Sequence, residues 1–185
     1  MYLEKKKELL SLLRDRNLQI DLFRKTAQEL IRLIAMEQKN ARDVVLVPIL
    51  RSGLAMLDPF MEVFPDAPIG FLGMFRDETT LKPHLYYKKL PVIHSRQTIL
   101  ILDPMLATGG SVQLAIQQIL QQNIAESQIR VISLIGSTMG VQAVRTKHPH
   151  VRIECVAIDD KLSSLGIIVP GLGDFGDRFF GTGNR

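Results

Sequence analysis

Short apolar runs alternate with amphipathic stretches from Val44 onwards. The apolar runs have the length of strands and are rich in β-branched residues, and the stretches between them show the longer apolar period of helices. This alternation favours an α/β fold with an open, mostly parallel sheet that helices cover on both faces. We predict strands over 44–49, 69–75, 98–102, 129–135 and 152–158, with helices after Gly53, Gly110 and Gly140.

Two further helical patterns, over 3–14 and 22–38, precede this α/β part. Apolar residues recur at every third or fourth position in the second pattern, which is typical of a helix packed against a core. We therefore predict an N-terminal helical segment over about residues 1–40.

Two segments, 76–97 and 159–185, show no clear period and are rich in glycine, proline and charge. Open α/β sheets bind ligands beyond the carboxyl ends of their strands, where segments of this kind lie. We predict that the first is a flap over a ligand site. We predict that the second is an irregular tail that lines the site with backbone groups.

The size and composition of the chain exclude several classes of protein. With 185 residues, 46% of them hydrophobic and 23% charged, residues 1–185 are expected to form one domain with a substantial core. The net charge of +4 is spread among interspersed acids and bases, which suits small anionic substrates and does not indicate a nucleic-acid partner. Cys155 is the only cysteine, so no intrachain disulfide can form. With no signal peptide and no apolar run long enough for a bilayer, we expect a cytoplasmic protein without a membrane partner.

Residues 100–111 read Leu-Ile-Leu-Asp-Pro-Met-Leu-Ala-Thr-Gly-Gly-Ser, an apolar strand that ends in a carboxylate and a small-residue loop. Because this loop opens a helix, its amides and the hydroxyls of Thr108 and Ser111 can bind a phosphate. Asp103 can accept hydrogen bonds from sugar hydroxyls. The loop has neither the lysine of a P-loop nor the spacing of a dinucleotide fingerprint. It predicts a site for a phosphorylated sugar, although a glycine pair can also mark a simple turn.

Two arginines and the tail extend this site. Arg51 follows a buried strand in Val-Pro-Ile-Leu-Arg-Ser-Gly, and Arg76 begins the predicted flap. Each can face an anion, although Arg51 alone fits a surface ion pair equally well.

The four histidines lack metal-ligand spacing and are expected at the surface, and Cys155 is expected to be a small buried apolar residue.

Taken together, these segments resemble the uracil phosphoribosyltransferases, which make UMP and pyrophosphate from uracil and phosphoribosyl pyrophosphate (PRPP). The resemblance runs from about Leu10 to Thr182 and is most specific over 47–53, 103–111 and 169–182. It implies the phosphoribosyltransferase fold, a homodimer, and Mg²⁺ bound mainly through PRPP and water instead of an all-protein cage.

The resemblance also implies roles for individual residues. The catalytic residues would be Arg51, Arg76 and Asp174, with both arginines on the pyrophosphate. PRPP would contact Arg51, Arg76, Asp103, Pro104, Met105, Leu106, Ala107, Thr108, Gly109, Gly110, Ser111 and Asp174. Uracil would contact Ile168, Gly173, Asp174 and Phe175. The turn at Arg51 would hold a non-proline cis peptide, at Leu50–Arg51 or at Arg51–Ser52.

The chain departs from the family pattern near the expected base pocket. Phe175 stands where the family usually has alanine, Ile167 replaces tyrosine, and Thr138-Met139 replaces Pro-Glu. The arm before the strand at Val44 is also short, over about 37–43. A phenyl ring at 175 would fill space that the base needs unless it points away. A transferase for another base, and a non-catalytic protein that binds PRPP or UMP, are therefore alternatives to a uracil enzyme.

Overall fold

The computed structural model describes residues 2–77 and 82–183, without the side chain of Arg76. Residues 78–81 of the predicted flap lie outside these ranges. The helices are α1 (Tyr2–Arg14), α2 (Ile20–Glu37), α3 (Leu54–Val63), α4 (Gly110–Leu120), α5 (Thr138–Lys147) and α6 (Phe175–Phe180). The strands are β1 (Val44–Leu50), β2 (Phe71–Arg76), β3 (Pro83–Lys89), β4 (Thr98–Leu102), β5 (Met105–Leu106), β6 (Ile129–Ser137), β7 (Arg152–Asp159), β8 (Lys161–Leu162) and β9 (Ile168–Val169).

Within the described ranges, strands β1 to β7 form one sheet in the order β3-β2-β1-β4-β6, and both β5 and β7 pair with β6. All of these pairs are parallel except the antiparallel pair β2–β3. The α/β fold with a mostly parallel sheet is therefore confirmed. β8 and β9 form a separate antiparallel pair.

The register of the central strands determines where the site lies. Val44 of β1 pairs with Thr98 of β4, and Pro48 pairs with Leu102, so the two strands end side by side. The residues that follow them, Arg51 and Asp103, consequently emerge at the same edge of the sheet. This is the edge at which open α/β folds bind ligands.

Helices cover both faces of the sheet, as predicted. Along β1, Val44 and Leu46 pack in a core cluster with the N-terminal helices and α3, whereas Val45 and Val47 pack in a second cluster with α4 and α5. A strand that is buried on both faces shows no polar alternation, which explains its continuous apolar sequence. No helix in the described part of the chain is long and apolar enough to cross a membrane.

One strand was not predicted, and the expected surface position of one histidine was wrong. The segment 76–97 contains a regular strand, β3, whose side chains are mostly exposed, so it carries no apolar period for the sequence to show. His148 is buried instead of lying at the surface. His148 follows the last residue of α5, and its Nδ1 lies 2.7 Å from Glu126 Oε1. A hydrogen-bond partner of this kind allows a polar ring to be buried.

Candidate functional site

A cleft of about 640 Å³ opens at the carboxyl edge of the sheet, beside the tail. It brings together the turn at Arg51, the loop after β4 and the tail, which were predicted from the sequence to bind ligands. Its lining consists of residues 49–52, 74–75, 103, 105–112, 165–167 and 173–176.

The loop that follows β4 forms one wall of the cleft. The carbonyl of Pro104 accepts hydrogen bonds from the amides of Leu134 and Ile135 in β6, at 3.0 and 3.1 Å, so Pro104 anchors the loop and does not itself line the cleft. Gly109 has a φ of 81°, a conformation that glycine adopts at little cost, and α4 begins at the next residue. Residues 109–112, at the start of this eleven-residue helix, line the cleft, and the amides of a helix N-terminus suit an anion.

The start of α5 supports this loop from behind. The Ser137 hydroxyl donates a hydrogen bond to the carbonyl of Ala107 at 2.5 Å and accepts one from the amide of Gly140 at 2.8 Å. A Cβ atom at Gly140 would overlap the Ala107 carbonyl, so only glycine allows the helix to approach so closely. Ser137 was not predicted from the sequence. The available signal was a serine that ends a strand immediately before a helix, the pattern of an N-cap.

Asp103 lies at the floor of the cleft with only 7% of its surface exposed. Burial raises the pKa of its carboxyl group to about 7, against weak opposing hydrogen bonds from the Met105 amide at 3.5 Å and the Ser52 hydroxyl at 3.4 Å. A ligand that donates hydroxyl hydrogen bonds would stabilise the ionised form and lower this pKa again. The carboxylate is thus poised to gain hydrogen bonds from a ligand.

Arg51 lies at the mouth of the cleft, with 60% of its side chain exposed. Its Nη2 donates to Asp177 Oδ1 and its Nη1 to Thr182 Oγ1, both at 3.2 Å, and the Thr182 hydroxyl donates to the same Asp177 oxygen at 2.6 Å. The Leu50–Arg51 peptide bond is cis, which confirms the predicted cis peptide at this turn. Asp177 and Thr182 were not predicted as partners of Arg51, because nothing in the sequence places the tail against this turn.

The tail supplies backbone and one carboxylate to the opposite wall. Gly173 has a φ of 79°, and Asp174 caps α6 by accepting a hydrogen bond from the Asp177 amide at 2.9 Å. Both residues line the cleft. Ile168, which was predicted to contact uracil, has its side chain fully buried in the core and does not line the cleft. Only its backbone is left for a ligand.

The chain matches one family of known proteins over most of its length. The family model described as "Uracil phosphoribosyltransferase" matches residues 35–182. The chain belongs to the uracil phosphoribosyltransferase family. This confirms the family resemblance drawn from the sequence.

Individual family members and solved structures agree with this assignment. The uracil phosphoribosyltransferase of Limosilactobacillus reuteri is 40% identical to this chain, over 94% of this chain and 92% of its own length. That of Levilactobacillus brevis is 42% identical, over 92% of this chain and 76% of its own length. The AQ2163 protein from Aquifex aeolicus is 32% identical, with a TM-score of 0.89 over 97% of this chain and 96% of its own. An adenine phosphoribosyltransferase from Thermoanaerobacter pseudethanolicus, 14% identical with a TM-score of 0.56, covers 72% of this chain and 81% of its own and shares the fold alone.

Phe175, the first predicted departure from the family pattern, has its ring in the core and does not close the cleft. Its ring is 99% buried, with its centroid 5.4 Å from that of Phe23 and 5.6 Å from that of Phe179. The ring therefore belongs to the core beneath α6, although the residue borders the cleft. Ile167, the second departure, does line the cleft and so can contact a ligand.

The carboxylates of the site suit a cation that is held mainly by its ligand. Among the described residues, no group of three or more His, Cys, Asp or Glu side chains could hold a metal ion. Asp103 and Asp174 both line the cleft. Mg²⁺ commonly binds through one or two carboxylates together with water and substrate phosphates, and these residues fit that pattern.

Proposed function

We propose that this protein transfers the phosphoribosyl group of PRPP to uracil, giving UMP and pyrophosphate in pyrimidine salvage. The observation that carries the proposal is the convergence on one cleft of Arg51, the loop 103–111 and the backbone at Gly173–Asp174. Each of these suits a different part of the two substrates, and the family assignment supports the same reaction.

The loop 103–111 binds the ribose 5-phosphate part of PRPP in this proposal. The amides at the start of α4, with the hydroxyls of Thr108 and Ser111, hold the 5-phosphate. The carboxylate of Asp103 accepts hydrogen bonds from the ribose hydroxyls. Because the loop is fixed to β6 through Pro104 and to α5 through Ser137, it holds the sugar in one orientation.

Arg51 and Arg76 hold the pyrophosphate and stabilise it as it leaves. Breaking the bond at the anomeric carbon builds negative charge on the leaving group, so a fixed guanidinium stabilises the transition state more than the ground state. Mg²⁺ would add positive charge at the same phosphates, with Asp103 and Asp174 as the carboxylates near it. The contribution of Arg76 is carried over from the family pattern.

Uracil is held by the tail. The amides around Gly173 and the carboxyl group of Asp174 give fixed donors and acceptors, and the backbone of Ile168 and Phe175 completes the site. In this proposal Asp174, which lines the same cleft, polarises the ring N–H of the base. Fixed partners reject a base with the wrong exocyclic group, because a buried donor or acceptor would then stay unpaired; such discrimination can reach about 10⁴ to 10⁵.

The family resemblance supports three further elements of the proposal. The protein acts as a homodimer, in the cytoplasm, and residues 1–185 form a single catalytic domain. Sedimentation analysis of the purified protein tests the dimer directly, because a monomer under assay conditions would contradict it.

Incubating the purified protein with uracil, PRPP and Mg²⁺ tests the activity. The proposal expects equal amounts of UMP and pyrophosphate. Turnover with a different base only would assign the protein as a transferase for that base, and PRPP or UMP binding without turnover would assign it as a non-catalytic binder.

A further inference from the structure

An ion pair between Arg14 and Asp159 holds the backbone that leads into the proposed base site. Arg14, the last residue of α1, donates from Nη1 and Nη2 to the two carboxylate oxygens of Asp159, at 2.7 and 2.8 Å. Both side chains also contact Gly171. Arg14 Nη1 donates to the Gly171 carbonyl at 3.1 Å, and the Gly171 amide donates to Asp159 Oδ2 at 2.9 Å. The three residues form a closed ring of hydrogen bonds, which we call the Gly171 clamp.

Gly171 needs these partners because it is buried in a turn. Its φ of 58° is a left-handed conformation, and a Cβ atom there would overlap the Ile168 carbonyl. A buried amide and carbonyl without partners would be costly, and the Gly171 clamp satisfies both. The ion pair thus acts directly on the backbone of the tail.

A second arginine fixes the next residue of the tail. Arg178 of α6 donates from Nη1 to the carbonyls of Leu172 and Leu13, both at 2.6 Å, and its guanidinium lies 4.1 Å from the ring centroid of Phe23. Residues 171 and 172 are therefore tied to the end of α1 from two sides. Gly173 and Asp174 follow at once and line the cleft, whereas Arg14, Asp159 and Arg178 do not.

The ion pair is shielded from solvent and charged. The side chain of Asp159 is 9% exposed and that of Arg14 is 26% exposed. The hydrogen bond from Arg14 lowers the pKa of the Asp159 carboxyl group, so the carboxylate remains ionised at neutral pH. Partly buried pairs with bidentate geometry are more rigid than exposed ones, because solvent competes less for their hydrogen bonds.

We propose that Arg14 and Asp159 are positioning residues for the base, which act by fixing the backbone of 171–174. This inference rests on the proposed function. It gives α1 a part in base recognition, although no residue of that helix lines the cleft among the described residues. It also predicts a selective effect, because the PRPP loop at 103–111 is anchored elsewhere, to β6 and α5.

Steady-state kinetics of Asp159→Asn and Arg14→Lys test the selectivity. Asn and Lys keep part of the hydrogen bonding but lose the bidentate pair. We expect the KM for uracil to rise at least about tenfold while the KM for PRPP changes less than about twofold, since misplacement by a fraction of an ångström is enough for such losses. Equal changes in both KM values, or no change in either, would overturn the proposal. So would failure of both variants to fold, which would make the pair purely structural.

Arg32 and Glu62 provide a matched control. They also form a bidentate pair, at 2.8 and 2.9 Å, between α2 and α3, but this pair is exposed and neither residue lines the cleft. Arg32→Lys and Glu62→Gln should leave both KM values unchanged. A rise in the KM for uracil in these controls would count against a specific role for the Gly171 clamp.

Hydrogen exchange separates failure of this inference from failure of the proposed function. If the parent protein makes no UMP, the proposed function fails and the Gly171 clamp is judged on exchange alone. Faster exchange in Asp159→Asn that is confined to 170–176, with 103–111 unchanged, supports the clamp. Unchanged exchange in 170–176, or faster exchange throughout the protein, overturns it.

Discussion

The guanidinium of Arg51 and the carboxylate of Asp177 lie 3.2 Å apart, joining the turn after β1 to the first turn of α6. Thr182 completes the arrangement by bonding both groups. The tail therefore holds the side chain that we assign to pyrophosphate.

Arg51→Ala should reduce activity strongly and stability little. Loss of a preorganised cation should lower kcat/KM by about 10² to 10³. The ion pair is largely exposed, and such pairs contribute only about 0 to 1 kcal/mol to the free energy of unfolding. Kinetics and thermal melting of the variant measure both effects, with Arg32→Ala as a control for removal of an exposed paired arginine. An insoluble or much less stable Arg51→Ala protein would reassign the residue to a structural role.

Asp103→Asn should raise stability at neutral pH while lowering activity. The pKa of Asp103 rises from 3.8 to about 7 on folding, so the folded state keeps a proton that the unfolded state releases, and stability falls as the pH rises from about 4 to about 7. Asparagine does not titrate. Relative to the parent, the variant should therefore gain up to roughly 4 kcal/mol between pH 4 and pH 8.

Denaturant unfolding of both proteins at several pH values measures this difference in the absence of ligand. In the same variant, kcat/KM for PRPP should fall by about 10² or more, because an amide is a weaker acceptor for the ribose hydroxyls than a carboxylate. A pH-independent difference in stability would contradict the assigned pKa. Full activity would contradict the role of Asp103 in binding the sugar.

Phe175→Ala should affect stability instead of base choice. Its ring packs between Phe23 and Phe179, and truncation of a buried phenylalanine costs about 3 to 5 kcal/mol. The preference for uracil over 5-substituted uracils should not change. Ile167→Ala is the matched comparison, since Ile167 lines the cleft and should alter the KM for the base with little change in thermal stability. A changed base preference with unchanged stability in Phe175→Ala would show that Phe175 shapes the base pocket.

Ser137→Ala should weaken PRPP binding, whereas Ser133→Ala should not. Both hydroxyls are buried in β6, but Ser137 bonds the Ala107 carbonyl and the Gly140 amide, while Ser133 has no hydrogen-bond partner among the described residues. Loss of the N-cap should cost about 0.5 to 2 kcal/mol of stability. Measurement of the KM for PRPP in the two variants compares them directly. Equal KM values for PRPP in the two variants would show that Ser137 does not support the loop.

The sheet and its loops could be predicted from the sequence because their signals are local. The apolar run at 98–102 followed by Asp103 and Gly109-Gly110 predicts a strand, a turn and a helix, and the structure has all three. β3 could not be predicted, because an exposed strand paired on one edge buries too little to leave an apolar period.

The other features that could not be predicted from the sequence depend on partners that are distant in the chain. Asp159 and Arg14 are 145 positions apart, and Arg51 and Asp177 are 126 apart. Pairs like these depend on the packing of whole elements, which no local pattern records. The direction of the Phe175 ring was open for the same reason, since it depends on Phe23 in a distant helix.

The central claim is that this cleft joins uracil to the ribose of PRPP. Its most direct test is a competition assay in which the purified protein, PRPP and Mg²⁺ meet uracil, cytosine, hypoxanthine and 5-substituted uracils together, with each nucleotide product measured. We predict UMP as the main product and no nucleotide from cytosine or hypoxanthine. A main product other than UMP, or no nucleotide at all, would contradict the claim.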